Sequence, residues 1–313
     1  MLGLKLFVKI NSCNIDVTKM IYIRIVQKRK ELMDLKSIIQ VIFKLISLLV
    51  LGIILLGIYT TFIERNLLIV KKHNIVVNEE GEDNLKVVQI TDTQLGEYYN
   101  LGHLEKAVKR INSLNPDIVV FTGDLIDNAA LYEDLYNVSE VLGKIEANLG
   151  KYAVYGNHDI GGGAIRYYED IMSEAGFTVL ENEKETIEVN GKSVSIFGGD
   201  DALMGIHNAE ETMREIDEDE VNILLIHEPD LIDEYNEYPI DLALSGHSHG
   251  GQVYIPFYGP IVKNVLAKNY SKGFYNIDNY RKTTLYVSSG LGNTKVPFRF
   301  FNIPEIAVFD LKI

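Results

Sequence analysis

Five short apolar runs, rich in Val, Ile or Leu, recur along the chain from residue 84 onward and set its class of fold. Their length, and the Gly, Asp, Asn or Pro residues that bound them, predict buried β-strands. The runs occupy residues 84–90, 117–121, 151–155, 221–226 and 240–244. We therefore expect the core of the protein to be built around these strands.

Amphipathic stretches separate the first three runs. Their apolar residues recur at the spacing of helices that pack on a sheet. The positions are Leu104, Ala107, Val108, Ile111 and Leu114 in the first stretch, and Leu131, Leu135, Val138, Leu142 and Ile145 in the second. The order β-α-β-α-β indicates an α/β layered fold. Residues 183–197 alternate around Asn190-Gly191 like a β-hairpin, which predicts a second, more antiparallel sheet that completes a sandwich.

Side chains that bind metal ions follow all five predicted strands. They are Asp92 and Gln94 after the first, Asp124 after the second, Asn157, His158 and Asp159 after the third, His227 after the fourth, and His247 and His249 after the fifth. Because the carboxyl ends of strands form the ligand crevice of an α/β sheet, we expect these residues to converge. Each alone has an ordinary interpretation, such as a turn aspartate or a core histidine. Their conjunction predicts a metal site.

Composition narrows the chemistry of that site. Cys13 is the only cysteine, so the body of the chain has no disulfide framework and no thiolate cage for a metal.

The charge of the chain is distributed unevenly. Residues 1–72 contain 12 basic and 4 acidic residues, a net charge of +8. The other 241 residues contain 18 basic and 40 acidic residues, a net charge of −22. A body this acidic repels polyphosphate backbones, which argues against nucleic acid as the main partner.

The motifs at these strand ends resemble those of the calcineurin-like metallophosphoesterase superfamily. The order D-x-(H/Q), GD, GNHD, H-x-P and GHSHGGQ runs through residues 84–252, and the later segment SSGLGNTKVPFRFFNIPEI is similar to the membrane-anchored bacterial branch. The resemblance implies a four-layer αββα sandwich that hydrolyses phosphoester bonds with two divalent metal ions, Mn²⁺, Fe²⁺ or Zn²⁺. A hydroxide that bridges the metals would be the nucleophile.

Carried over by motif position, the resemblance implies two metal sites that share Asp124. Asp92 and His249 would hold one metal, and Asn157, His227 and His247 the other. A carboxylate has two oxygens and can bridge two cations roughly 3.5–4 Å apart. His158 resembles the family histidine beside the leaving group, where a protonated imidazole can protonate the departing oxygen. We expect Asp159 to orient it.

One position departs from the family pattern. The first motif usually reads D-x-H, whereas this chain has Asp92-Thr93-Gln94. The amide oxygen of Gln94 is a weaker ligand than an imidazole, so we expect the first metal to be held less tightly. His73 and His103 match no motif, and we interpret them as surface residues.

The 19 residues from Leu45 to Ile63 carry no charge, and as a helix they would span about 28 Å, close to the hydrocarbon core of a bilayer. Basic residues are more frequent before this run than after it, which predicts a cytoplasmic N-terminus and an extracytoplasmic catalytic domain. The alternatives are a cleaved signal peptide and a buried core helix, but the run is longer than a signal h-region and no small-x-small cleavage site follows.

These observations predict three parts of the chain. We expect an irregular, basic cytoplasmic arm at residues 1–36, a transmembrane anchor at 37–66 and a single metallophosphoesterase domain at 74–313. Met33 would be a natural alternative start, so residues 1–32 are a candidate for a mis-assigned extension.

The function that the sequence predicts is a membrane-anchored phosphoester hydrolase. Aromatic residues near the GHSHGGQ loop and near the C-terminus, if exposed, would suit a phospholipid, a lipid-linked sugar phosphate or an anionic wall polymer. The alternative is a degenerate family member that binds one metal or none and acts as a binding or scaffold protein. Hydrolysis of an aryl phosphate diester with added Mn²⁺ separates the two.

Overall fold

The computed structural model describes the backbone of residues 4–313 and the side chains from residue 19 onward. It divides the chain into two compact units, one that ends at Ile58 and one that comprises Tyr59–Ile313. The first three residues of the predicted arm, and its side chains up to residue 18, lie outside the described part.

Helix α1 (Leu4–Ile58) forms the described part of the first unit. The prediction of an irregular arm is wrong for residues 4–36, which are helical; no Gly or Pro occurs between residues 4 and 51 to interrupt the helix. Within the described residues, this is the one helix long and apolar enough to cross a membrane, and its most apolar segment is exposed.

Two six-stranded sheets make up most of the second unit. The first sheet contains, in spatial order, β1 (Ile69–Val76), β14 (Glu305–Lys312), β2 (Asn84–Ile90), β3 (Ile118–Thr122), β4 (Gly150–Val154) and β5 (Thr178–Val179). The second contains β12 (Gly273–Asn276), β13 (Thr284–Val287), β9 (Leu242–Ser245), β8 (Val221–Leu225), β7 (Lys192–Gly198) and β6 (Glu183–Val189). A separate two-stranded ribbon pairs β10 (Tyr254–Ile255) with β11 (Gly259–Pro260).

Helices and loops cover the outer faces of the two sheets. The helices are α2 (Leu101–Asn112), α3 (Val138–Leu142), α4 (Asn157–Gly161), α5 (Ile165–Glu174) and α6 (Ala209–Thr212). Short 3₁₀ helices lie at Glu64–Asn66, Leu135–Asn137, Pro229–Tyr235 and His249–Gly251, and Tyr59–Ile63 forms a π-helical turn.

The alternation of side chains along each strand builds the layers. Val87 and Ile118 of the first sheet pack in a cluster with Ile223 and Leu242 of the second sheet, and this cluster fills the space between the sheets. Val88, next to Val87, belongs instead to the cluster under α2 and α5. The predicted α/β sandwich is therefore confirmed, with the layer outside the second sheet made mainly of a 3₁₀ helix and loops.

Three details differ from the sequence-based expectations. The second sheet is mixed, with β7, β8, β9 and β13 parallel, so it is less antiparallel than expected. The helix expected across residues 131–145 covers only 135–142. The side chain and carbonyl of Asn128 accept from the backbone N–H groups of Ala130 and Leu131 in a turn, and Gly143 ends the helix. The second unit begins before residue 74, since β1 starts at Ile69 and pairs with β14.

Candidate metal centre

The carboxyl ends of β2, β3 and β4 in the first sheet meet those of β8 and β9 in the second. This brings together side chains from five separate segments of the chain. Two groups of potential metal ligands result, Asp124 with His227 and His247, and Asp92 with Asp124 and His249. Within each group the ligand atoms lie within 4.8 Å of one another, and all of these side chains are buried. Asp124 belongs to both groups.

Short distances connect the members of each group. Nε2 of His227 lies 3.3 Å from Oδ2 of Asp124, and Nε2 of His249 lies 3.3 Å from Oδ1 of Asp92. Oδ1 of Asn157 lies 2.9 Å from Nδ1 of His247. The structure thus brings together the residues that the motifs single out as ligands.

Five of these residues adopt a left-handed backbone conformation. The φ angles are 51° at Asp92, 45° at Gln94, 62° at Asp124, 64° at His247 and 47° at His249. Residues other than glycine rarely have positive φ angles, and such strained conformations concentrate at functional sites. The strand-end loops therefore direct these side chains toward one point. The strained backbone raises the free energy of the folded state, and packing in the rest of the fold must offset this.

Glycine at position 123 allows the two sheets to approach closely at the site. Its φ is +88°, and a Cβ there would lie 2.5 Å from Nδ1 of His227. Any side chain at position 123 would push the imidazole of His227 away from Asp124, so the glycine of the GD motif is required for steric reasons.

Hydrogen bonds to main-chain carbonyls orient the rings of two histidines. Nδ1–H of His227 donates to the carbonyl of Thr122 at 2.7 Å, which directs Nε2 toward the carboxylate of Asp124. Nε2–H of His247 donates to the carbonyl of Val265 at 2.8 Å, which leaves Nδ1 as a lone pair. Metal-binding histidines in proteins typically have this arrangement.

The environment of His247 fits a cation. Burial and the neighbouring His227 lower the pKa of His247 to about 4, so the ring is neutral at pH 7 and has one N–H. With that N–H on Val265, the lone pair of Nδ1 faces the oxygen of Asn157 at 2.9 Å. Two electron-pair donors at this distance repel each other unless a cation lies between them.

Several other polar atoms here are buried without a hydrogen bond in the described part of the chain. They are Nε2 of His227, Nδ1 of His249 and Oε1 of Gln94. An unsatisfied buried polar atom costs about 1–3 kcal/mol, so such a cluster calls for a ligand. The oxygen and imidazole donors suit Mn²⁺, Fe²⁺ or Zn²⁺.

The two aspartates have opposite electrostatic environments in the absence of metal. Burial raises the pKa of Asp92 to about 7, against the attraction of His227. Burial acts in the same direction on Asp124, but the positive charge of His227, together with that of His158, outweighs burial and lowers the pKa of Asp124. Asp124 is therefore the carboxylate that stays ionised most readily.

His158 lies at the edge of the cluster, with the carboxylate of Asp127 beside it. Nδ1 of His158 lies 3.2 Å from Oδ1 and 3.1 Å from the carbonyl oxygen of Asp127. Burial acts to lower the pKa of His158, but Asp127 and the charge of Asp124 outweigh it and raise the pKa to about 9. The ring is thus protonated at neutral pH and partly open to solvent.

The prediction that Asp159 orients His158 is wrong. The carboxylate of Asp159 is fully buried and accepts hydrogen bonds from the backbone N–H groups of Asp124, Leu125 and Gly156 at 2.7, 2.8 and 2.9 Å. His158 and Asp159 are adjacent at the start of α4, but their side chains point in different directions. Asp159 therefore holds the loop after β3, and Asp127 is the residue that contacts His158. No spacing in the sequence singles out Asp127, because it lies in the loop after β3, whose path the strand pattern does not determine.

Gln94 contacts the shared carboxylate. Its Nε2 donates to Oδ2 of Asp124 at 2.6 Å, and its Oε1 is buried without a partner. That the amide binds a metal stays a prediction.

The two histidines outside the motifs do not join the cluster. His103 is half-buried and caps α2. His73 packs against Phe274, Tyr286 and Phe309.

The C-terminal segment supports the centre through Arg299. This side chain is fully buried and donates to the carbonyl oxygens of Ser289, Gly292 and Asn302. The loop that it holds contacts the first ligand, since the N–H of Gly292 donates to the carbonyl of Asp92 at 2.7 Å. The motif SSGLGN therefore shapes the centre without supplying a ligand.

The sequence of this chain is similar to those of known metallophosphoesterases. The family model of the calcineurin-like phosphoesterases matches residues 85–251. The metallophosphoesterase YkuE of Bacillus subtilis is 39% identical over 257 residues, which cover 81% of this chain and 89% of YkuE. A transmembrane protein with a metallophosphoesterase domain from Danio rerio is 28% identical over 246 residues, which cover 74% of this chain and 54% of that protein.

Among solved structures, a purple acid phosphatase from yellow lupin aligns with a TM-score of 0.41 and 17% identity, over 68% of this chain and 45% of that chain. The match to the family model and the 39% identity to YkuE assign the chain to a family. The chain belongs to the calcineurin-like phosphoesterase family of metal-binding hydrolases.

Proposed function

We propose that this chain hydrolyses phosphoester bonds with two divalent metal ions at the cluster around Asp124. The observation that carries the proposal is that one buried carboxylate belongs to two groups of ligand atoms. Asp92 and His249 would complete one site, and Asn157, His227 and His247 the other. Gln94 is an additional candidate at the first site.

Bound divalent cations would supply positive charge to the phosphoryl oxygens and lower the pKa of water. The chain's own residues hold the centre in place. Thr122 and Val265 orient the two imidazoles through hydrogen bonds. The exclusion of solvent from these side chains strengthens each charge interaction inside the site.

His158 is suited to protonate the leaving group. It is charged at neutral pH, it is partly exposed, and its neighbour Asn157 belongs to the cluster. Asp127 holds the ring and stabilises the positive charge. In this role His158 donates its proton to the departing oxygen, which makes an alcohol with a high pKa a better leaving group.

We further propose that α1 anchors the enzyme in a membrane, with the N-terminus in the cytoplasm and the catalytic domain outside. The length and exposure of the apolar helix, and the basic residues before it, support this topology. The relative from Danio rerio is named as a transmembrane protein. The substrates that fit such an enzyme are phospholipids, lipid-linked phosphates or anionic envelope polymers.

The test of the proposed function uses the full-length protein with an aryl phosphate diester and added Mn²⁺. Asp124→Asn weakens the carboxylate shared by both groups, so we expect kcat to fall at least about a hundredfold. Asp134→Asn, an exposed aspartate outside the cluster, is the matched control and should keep the wild-type rate. A wild-type protein that is inactive with each of Mn²⁺, Fe²⁺ and Zn²⁺ would support the binding or scaffold role instead.

A further inference from the structure

A cavity of about 500 Å³ adjoins the metal centre and has a mainly apolar wall. Ser248 and His249, from the GHSH motif, form part of its lining. The apolar part of the wall is formed by Val253, Ile261, Val262, Val296 and Phe298. None of these five residues takes part in the proposed chemistry, so the cavity is available for another part of the substrate.

A second, more polar cavity of about 440 Å³ lies beside His158. Asp127 and Asn157 also line it, and Thr294 and Lys295 line both cavities. A phosphate at the metal centre would therefore have room for one substituent in each cavity. This arrangement fits a phosphodiester better than a monoester, and Lys295 adds a positive charge where the two cavities meet.

The rim of the apolar cavity is exposed. Ile261 and Val262 have 60% and 64% of their surface open to solvent, and Phe257 and Tyr258 beside them are also exposed. Contiguous exposed apolar side chains indicate contact with another apolar phase. Lys263, in the same loop, is suited to anionic lipid headgroups.

Hydrogen bonds connect the wall of this cavity, through residues 299–302, to the end of the charge-free run at residues 45–63. Phe300 is paired through its backbone with Gln252 and Tyr254, both at 2.9 Å. Its neighbour Arg299 donates its backbone N–H to the carbonyl of Thr60 at 3.2 Å, so the same segment holds the cavity wall and the end of the apolar run. The N–H of Asn302 donates to the buried carboxylate of Glu64 at 2.6 Å, which gives a second link.

We propose that the apolar cavity binds the hydrocarbon chain of a lipid phosphodiester that the bilayer presents, with the headgroup directed toward His158. The inference rests on the proposed function and names its substrate class. Water adds to phosphorus, the P–O bond to the headgroup breaks, and the proton of His158 passes to the departing oxygen. A proton from the attacking water replaces it, and the phosphate stays on the lipid.

The first test measures the dependence on chain length. Full-length protein in discs of a phosphate-free galactolipid is given methyl, propyl and hexyl p-nitrophenyl phosphate. A buried methylene is worth about fourfold in an equilibrium or rate ratio, so we expect kcat/KM to rise about two- to fourfold per methylene. Equal kcat/KM across the series would overturn the cavity assignment while leaving phosphodiester hydrolysis intact.

Matched variants locate the effect. Ile261→Asp and Val262→Asp should flatten the chain-length series, because each places a carboxylate in the apolar wall of the cavity. Leu131→Asp changes another exposed apolar residue, one that does not line the cavity, and it should keep the wild-type slope. A slope that survives both rim variants would place the hydrocarbon chain elsewhere.

A labelling experiment tests the site without turnover. Hexyl phosphate with a diazirine at the chain end is photolysed with the full-length protein, and the modified peptides are mapped by mass spectrometry. We expect label in residues 251–265 and 294–298, and suppression by excess hexyl phosphate but not by methyl phosphate. Label confined to other segments would overturn the proposal even if no ester is hydrolysed.

Discussion

At the scale of single residues, the carboxylate of Asp127 keeps His158, the proposed acid, protonated. The contact of 3.2 Å between Nδ1 and the carboxylate favours the protonated ring. A histidine whose pKa is raised in this way keeps its proton at pH 7, where an exposed imidazole has largely lost it.

We expect the ring of His158 in the chelated protein to titrate near pH 9, and the ring in Asp127→Asn to titrate at a lower pH. The sign follows from the pairing, since loss of the carboxylate removes what favours the charged form. NMR titration of the imidazole signals, with His158→Gln to assign them, gives both values. Titration of both proteins near 6.5 would remove Asp127 from this role.

Gln94 is the residue at which this chain departs from its family's motif. An imidazole binds Mn²⁺, Fe²⁺ or Zn²⁺ more strongly than a carboxamide does. If the amide is a ligand, Gln94→His should raise the bound metal toward two ions per chain and lower the metal concentration needed for activity. The opposing interpretation is that Gln94 only holds Asp124 through its 2.6 Å hydrogen bond. In that case calorimetric and kinetic metal titrations of the two proteins would superimpose.

The residues of the centre were predictable because their types and order are specific, whereas their partners were not. Asp124, His227, His247 and His249 follow strands that the apolar runs locate. The partner of His158 depends on where a loop turns, and sequence proximity favoured Asp159 over Asp127. The left-handed backbone at the ligands is also invisible in the sequence, since none of them is a glycine.

At the scale of elements, β1 and the turn before it belong to the catalytic unit, although their sequence does not look like its strands. β1 pairs with β14 along its whole length, yet its residues alternate between half-buried and exposed and include three charged or imidazole side chains in a row. A half-buried edge strand lacks the continuous apolar run that made the central strands visible. The domain therefore begins earlier than the apolar pattern indicated.

The turn at Tyr59–Asn66 should stabilise the domain. A chain that begins at Leu67 loses the carboxylate of Glu64, which is 2% exposed and accepts from Asn302, and the carbonyl of Thr60, which accepts from Arg299. Each lost partner costs about 1–3 kcal/mol, so we expect its Tm to lie roughly 4–24 °C below that of a chain that begins at Tyr59.

Calorimetry of the two shortened chains at equal metal concentration checks this. Glu64→Ala in the longer of the two removes one of the two contacts and should give an intermediate Tm. Equal melting temperatures for all three would mean that the turn contributes nothing and that the domain boundary predicted from sequence was adequate.

At the scale of the whole molecule, the net charge of the body of the chain has the same sign as that of a phosphoester substrate. The body of the chain has a net charge of −22, and the site must nevertheless accept a phosphoester anion. The two sheets bring imidazoles and carboxylates from residues 92–249 to one buried edge. Divalent cations bound there would reverse the local sign of the potential, so catalysis by this protein should depend on them entirely.

The most direct test of this account is a Mn²⁺ titration of the chelated full-length protein, with bound ions counted by native mass spectrometry and initial rates measured on an aryl phosphate diester. Because Asp124 belongs to both groups of ligands, we expect activity to appear as the second ion binds and to reach its maximum at two ions per chain. Full activity with one ion, or a rate that does not change after chelation, would contradict the two-metal centre.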